Sequence, residues 1–147
     1  MKVLLPDGVE AVGDPILEIL RQYKTIAVVG LSPNPMRPSN SVSRYLQRSG
    51  YTIVPVNPGH NEILGEKSYR SLSDAAHNHA IDIVDVFRRS EHVGPIIDEA
   101  LTLVPKPKLI WLQLGIVDPA GQKQAAVSGV PFVQDRCLAI EHRSLGV

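Results

Sequence analysis

Residues 25–39, TIAVVGLSPNPMRPS, constrain the fold more than any other stretch of this chain. Ile26, Ala27, Val28 and Val29 form a continuous apolar run, rich in β-branched residues and closed by Gly30. Such a run predicts a parallel strand covered on both faces, because a strand with one wet face would alternate apolar and polar residues. A glycine at its end lets the backbone turn sharply and approach a ligand closely. Pro33, Pro35 and Pro38 stiffen the loop that follows, and Ser39-Asn40 are residue types that cap helices, so a helix is predicted from about Ser41. That helix would direct its free N–H groups and positive dipole end back at the turn. Strand, glycine turn and helix make the ground plan of a nucleotide-phosphate site, with a plain structural connection as the competing reading. Leu31, Ser32 and Pro33 follow Gly30, so neither G-x-G-x-x-G nor G-x-x-x-x-G-K-[ST] is present.

The remaining sequence supplies alternating elements of the same kind. Asp14-Pro15 marks a helix start, and Ile16, Leu17, Ile19, Leu20 and Tyr23 give one apolar face over residues 14–23. The helix after the first strand carries Val42, Tyr45, Leu46 and Ser49 at i, i+3, i+4 and i+7 and stops at Gly50. Further strands are predicted at residues 52–56, 81–87, 109–112 and 130–133, with Asn57-Pro58-Gly59 breaking the second. Ile63-Leu64-Gly65 and Tyr69 suit a brief extended piece, and residues 72–77 a short helix capped by Ser71 or Ser73. A helix over 95–104 would turn Ile96, Ile97, Ala100, Leu101 and Val104 inward, and Asp118-Pro119 would start another that ends near Gly129. The polar tail from Asp135 is expected to be partly helical.

Strands and helices alternating at this spacing predict an α/β fold, a doubly wound parallel five-stranded sheet with an N-terminal helix. Right-handed crossovers favour the strand order 3-2-1-4-5. That order reverses direction between strands one and four, where ligands of open α/β sheets bind. The loops meeting there would be residues 30–38 and 113–115.

Composition narrows the function classes. A chain of 147 residues reads as a single domain over 1–147 with a real core. Fifteen basic residues balance fifteen acidic ones, which leaves no field to hold nucleic acid or an anionic membrane. No apolar run approaches the ~20 residues of a membrane span, and MKVLLPDGVE does not read as an export signal. One cysteine excludes an internal disulfide and fits a reducing cytoplasm. Monomer and homodimer are both compatible with these features.

The end of the second strand bears on the ligand. Nicotinamide enzymes of this architecture place an acid there, whereas this chain has Val54-Pro55-Val56-Asn57-Pro58. Cations cluster at other strand ends instead: Arg37, Arg88 and Arg89, with Lys67 and Arg70 nearby. Arginine's planar fork suits phosphate, although the same side chains could stay solvated or pair with Glu91 or Asp85. A nucleotide with several phosphates and no diol clamp would satisfy the set.

Five separated blocks, VVGLSPNPMRPS, VPVNPGH, DVFRRSEHV, WLQLG and DRCLAIEH, resemble the small bacterial stand-alone CoA-binding-domain proteins, the YccU-like family. These resemble in turn the CoA-binding domain of the succinyl-CoA synthetase α subunit. The resemblance runs from about Lys24 to the C-terminus and implies a Rossmann-like domain that binds the ADP part of coenzyme A. It implies that Gly30, Ser32 and Arg37 hold the pyrophosphate, and that Pro55, Val56 and Asn57 border the adenosine and its 3′-phosphate. Phe87 and Arg88, with Gln113 and Gly115, would line the opposite wall. The synthetase's second domain, with its phosphorylated histidine, has no counterpart here, so synthetase activity is not implied.

Catalytic equipment is sparse. Cys137, in Asp135-Arg136-Cys137 with His142 five residues on, could be a thiolate that exchanges with CoA or accepts an acyl group. The plainer reading is a small side chain that packs the last helix. His77 and His79 would face different ways on a helix, His60 and His92 read as solvated, and Trp111 reads as core. No paired carboxylates, nucleophile elbow or metal-ligand cluster appears, so the expectation is a binding protein for CoA or an acyl-CoA, without catalysis. The alternatives are an NAD(P)-binding redox or sensor protein, and Cys137-dependent acyl or thiol exchange.

Overall fold

Strand β1 (Thr25–Val29) is an inner strand of the sheet, and its last four residues are buried. The computed structural model describes residues 14–146 of the chain. Around β1 run, in chain order, α1 (Asp14–Gln22), α2 (Pro38–Arg48), β2 (Thr52–Val56), β3 (Glu62–Ile63), β4 (Glu66–Lys67), α3 (Leu72–Ala76) and β5 (Ile83–Val86). A 3₁₀ turn (Ser90–His92) then leads into α4 (Val93–Thr102), β6 (Leu109–Leu112), α5 (Pro119–Val127), β7 (Phe132–Val133) and α6 (Leu138–Leu145). The export-signal reading of residues 1–10, and the capping role of the Asp14 side chain, lie outside what is described.

The main sheet has the order β2-β1-β5-β6-β7, all parallel. Counting its five strands along the chain, that is 2-1-3-4-5, which corrects the expected 3-2-1-4-5. Pro55 supplies the physical reason. Its carbonyl accepts a hydrogen bond from the Tyr69 N–H at 3.0 Å, so this residue faces away from β1. Having no N–H, proline cannot complete a central-strand ladder on that side, and it belongs at an edge. The outer edge of β2 is covered by the segment at Tyr69, which bridges to Val56. The third strand therefore takes the other side of β1, and the sheet reverses direction between β1 and β5.

Alternate residues of each strand enter two cores. Ile26 and Val28 of β1, Ile53 of β2 and Trp111 of β6 face α1, α2 and α6, where they meet Ile16, Leu20, Val42, Leu46 and Leu138. Ala27, Val29, Val84, Ile110 and Leu112 face α3, α4 and α5, meeting Leu72, Ala75, Ile97, Ala100 and Ala125. At about 25 cal/mol per Å² of apolar surface removed from water, these two layers are the dominant favourable contribution to folding.

Several boundaries differ from the sequence reading. Helix α2 starts at Pro38, with Arg37 in extended backbone before it, so Ser39 and Asn40 lie inside the first turn. Proline fits a first helical position because its missing N–H would have had no partner there. Helix α4 starts at Val93 and ends at Thr102, so Val104 is 96% exposed and Leu103 turns into the core in its place. Residues 62–67 form a hairpin whose turn residues Leu64 and Gly65 both have positive φ. Ser71 caps α3 by accepting the Asp74 N–H. The tail is less polar in place than in sequence, since Leu138, Ala139 and His142 are buried against α2 and the sheet.

Candidate functional site

At the carboxyl ends of β1, β5 and β6 lies an open cavity of about 750 Å³. Gly30, Ser32, Arg37, Phe87, Arg88, Gln113 and Gly115 all line it, so seven of the residues singled out from the sequence come together. Pro55, Val56 and Asn57 stand at the end of β2, beside the first loop but outside this lining. Pro38, Ser39, Val42, Arg89, Leu114, Ile116, Cys137 and Ile140 complete the wall. Arg89 and Cys137 had sequence signals. Leu114 lies in the 113–115 loop expected at the crevice, whereas Ile116 and Ile140 had no signal, because apolar residues beside a strand or on a helix read as core.

Gly30 is fixed by its neighbours. Its φ is +85°, and an added Cβ would lie 2.5 Å from the Phe87 carbonyl oxygen and 2.9 Å from Arg88 Cδ. The turn is glycine because β5 ends directly against it, and the same closeness brings the Arg88 stem over the loop. The Gly30 N–H bonds to the Val56 carbonyl at 3.0 Å, which continues the ladder one residue past β1.

The loop after Gly30 is held by its own side chains. The Ser32 N–H donates to Ser39 Oγ at 2.9 Å, and Asn40 Nδ2 donates to the Ser32 carbonyl at 2.9 Å. Ser32 Oγ accepts the Asn34 N–H, and Asn34 Oδ1 accepts the Met36 N–H. Arg44 Nε reaches Asn40 Oδ1 at 2.9 Å. Asparagine and serine commonly close such short turns through their own backbone neighbours. The Ser32 N–H is thereby engaged, while its hydroxyl hydrogen can still be donated. In the first turn of α2, Pro38 has no N–H and those of Asn40 and Ser41 bond to the Arg37 carbonyl.

Asn57 joins two loops. Its Nδ2 donates to the Leu31 carbonyl at 2.9 Å, and its Oδ1 accepts the Gly59 N–H at 2.9 Å. On the far wall, buried Gln113 accepts the Leu138 N–H at 3.2 Å and so ties α6 to the end of β6. Gly115, with φ +83°, donates its N–H to Asp135 Oδ1 at 2.7 Å.

Charge in the cavity is one-signed. Arg37, Arg88 and Arg89 are exposed and form no ion pair among the described residues. Neither acid weighed as their partner holds them. Asp85 is fully buried on β5 with both carboxyl oxygens unpartnered among the described residues, and burial pushes its carboxyl well above the ordinary range. Lys67 lies over the Tyr69 ring at 5.2 Å, away from the cavity.

The remaining candidates fall into structural roles. His142 Nδ1 is 2.8 Å from the Tyr45 hydroxyl, so its ring is engaged with α2. Burial, then the charges of Lys24 and Arg143, hold its imidazole below the usual value. Trp111 is fully buried, with Nε1 donating to the Arg136 carbonyl at 2.7 Å. His79 Nε2 lies 3.3 Å from the Tyr69 hydroxyl, and His77 caps α3.

Known proteins resemble this chain in sequence and in fold. Residues 24–143 match the family model of the CoA binding domain. The protein YneT of Bacillus subtilis (strain 168) is 41% identical over 128 residues, covering 86% of this chain and 91% of that one. A solved structure from Thermus thermophilus, cell-free ID.343, is 42% identical with a TM-score of 0.82, covering 88% of this chain and 96% of the other. The dinucleotide-forming acetyl-coenzyme A synthetase 1 of Ca. Korarchaeum cryptofilum, in its apo form, is 25% identical with a TM-score of 0.67. That match covers 81% of this chain and 28% of the synthetase.

Proposed function

We infer that this chain, which belongs to the CoA-binding-domain family, binds coenzyme A by its ADP portion in the cavity above β1, β5 and β6, as a binding protein without a catalytic step. The observation that carries this is the convergence of Arg37, Arg88 and Arg89, free of ion pairs among the described residues, with the start of α2 around the Gly30 turn. A pyrophosphate there would meet guanidinium forks, the Ser32 hydroxyl and the positive end of a helix. The adenosine would extend toward the end of β2, where Pro55, Val56 and Asn57 stand. Phe87, Gln113 and Gly115 would form the opposing wall.

A nicotinamide dinucleotide fits less well. Its ribose diol calls for a carboxylate at the end of β2, and the Asn57 amide standing there is bound to Leu31 and Gly59. Titration calorimetry with CoA, dephospho-CoA, NAD and NADP tests the assignment. CoA is expected to bind more tightly than either dinucleotide, and tighter binding of NAD would overturn it.

A further inference from the structure

The lining of the cavity is of two chemical kinds. From the loop after β1 and the end of β5 come Ser32, Arg37, Arg88 and Arg89. From the loop after β6, and from α2 and α6, come Val42, Leu114, Ile116 and Ile140, with Cys137 beside them and no charged side chain among them. Leu114 is 67% exposed and Ile140 56% exposed. A single exposed leucine or isoleucine is ordinary. Here apolar residues from three separate elements line one concavity together with Arg37, Arg88 and Arg89.

The sheet order sets the direction of travel. Parallel strands lie about 4.8 Å apart, and β5 separates β1 from β6. A ligand held by its pyrophosphate over the β1 turn, with its base toward β2, must send its other arm across β5 to the loop after β6. In coenzyme A that arm ends in the thiol, and in its thioesters it ends in the acyl group. Free CoA would present a small thiol to Val42, Leu114, Ile116 and Ile140 and leave much of that surface wet. A thioester would cover it.

We propose that the ligand is an acyl-CoA thioester, and that Val42, Leu114, Ile116 and Ile140 form the seat of an apolar acyl group. This rests on the CoA reading above and adds the class of ligand to it. Burying a methylene fully is worth about fourfold in affinity, and a site this open should return roughly two- to threefold per methylene.

The test is a calorimetric series of CoA, acetyl-CoA, butyryl-CoA and hexanoyl-CoA on the wild-type chain, repeated on Ile140→Ser and Leu114→Ser. Affinity should rise from CoA to butyryl-CoA by about fivefold or more. Each variant should lower the butyryl-CoA to CoA affinity ratio, which mere loosening of the fold would not do. If CoA binds and its thioesters bind equally or more weakly, the acyl seat is overturned while the CoA assignment stands. If neither CoA nor any thioester binds, both fall together.

Discussion

The hydroxyl of Ser39, buried in the first turn of α2, accepts the backbone N–H of Ser32 at 2.9 Å and so ties the loop after β1 to the helix that follows it. Removing that acceptor leaves an N–H without a partner, a loss of about 1–3 kcal/mol where the group is kept from water. Ser39→Ala should therefore lower stability by about 1 kcal/mol, since Ser32 is only half-buried, and should weaken CoA binding by freeing the loop. Urea denaturation and calorimetry on the same variant check both effects. Unchanged values for both would show that the loop is held by its prolines alone.

Gly30→Ala should be more damaging. The substitution combines a φ of +85° with a Cβ 2.5 Å from a backbone oxygen that cannot swing aside. Left-handed strain alone costs on the order of 1–3 kcal/mol, so a loss of about 2 kcal/mol or more is expected without any ligand. Gly115 has nearly the same φ but nothing within 4 Å of an added Cβ, so Gly115→Ala should cost less. Equal urea midpoints for the two variants would remove the steric role of Phe87.

Arg37→Ala separates binding from folding. A charge-assisted contact is worth about 1.5–3 kcal/mol, so CoA affinity should fall roughly ten- to a hundredfold. The apo melting temperature should hardly move, because Arg37 is exposed and forms no ion pair among the described residues. Raising salt should shrink the difference from wild type. An Arg37→Ala protein that binds CoA normally would place this side chain outside the site.

Asp85 is a liability to the fold. Its carboxyl is fully buried, with neither oxygen partnered among the described residues, and an unbonded polar group of this kind costs about 1–3 kcal/mol. Asp85→Val, on a strand flanked by Val28 and Trp111, should raise stability by a comparable amount. Burial raises the native carboxyl above its ordinary value, while the unfolded chain releases the proton near about pH 4. Wild-type stability should thus fall as pH rises from there toward the native value, and Asp85→Val should lose that slope. A destabilised valine variant would mean the carboxyl has a partner after all.

His142 acts in the opposite sense. Its imidazole is held below the ordinary value, first by burial and then by Lys24 and Arg143. The unfolded chain takes up a proton near about pH 6.5, so acidification below that pH should cost stability until the native ring also protonates. His142→Phe should flatten this part of the profile, at the expense of the hydrogen bond to Tyr45. Thermal melts at stepped pH from neutral to mildly acidic would read the difference in slope.

Local signals alone determined much of this protein. The apolar run at 26–29, its closing glycine, Pro38, and the apolar spacing of Val42 and Leu46 depend only on backbone sterics and side-chain period, so the strand, turn and helix were legible without any partner. Seven of the expected site residues lie in segments that follow the carboxyl ends of β1, β5 and β6, an edge of the sheet that any parallel order preserves. That they share one cavity, while Pro55, Val56 and Asn57 stand outside it, follows from the strand order. Pro55 held the strand order in plain view, since a proline N–H that does not exist cannot serve an inner strand. Right-handed crossover alone did not distinguish the orders.

Other features were settled only by the packed chain. Ser39 and Asn40 look like caps in sequence, yet they bind Ser32 from inside α2, because the helix begins at the proline before them. Val104 continues an inward-facing pattern by spacing but is exposed, because α4 ends at Thr102 and the period ends with it. Leu114, Ile116 and Ile140 become one surface only when α6 folds back on the end of β6 through Gln113 and the Leu138 N–H. Local propensity acts over a few bonds and fixes which elements form. Which edge a strand takes, and which side chains then share a cavity, depends on contacts between residues far apart in the chain.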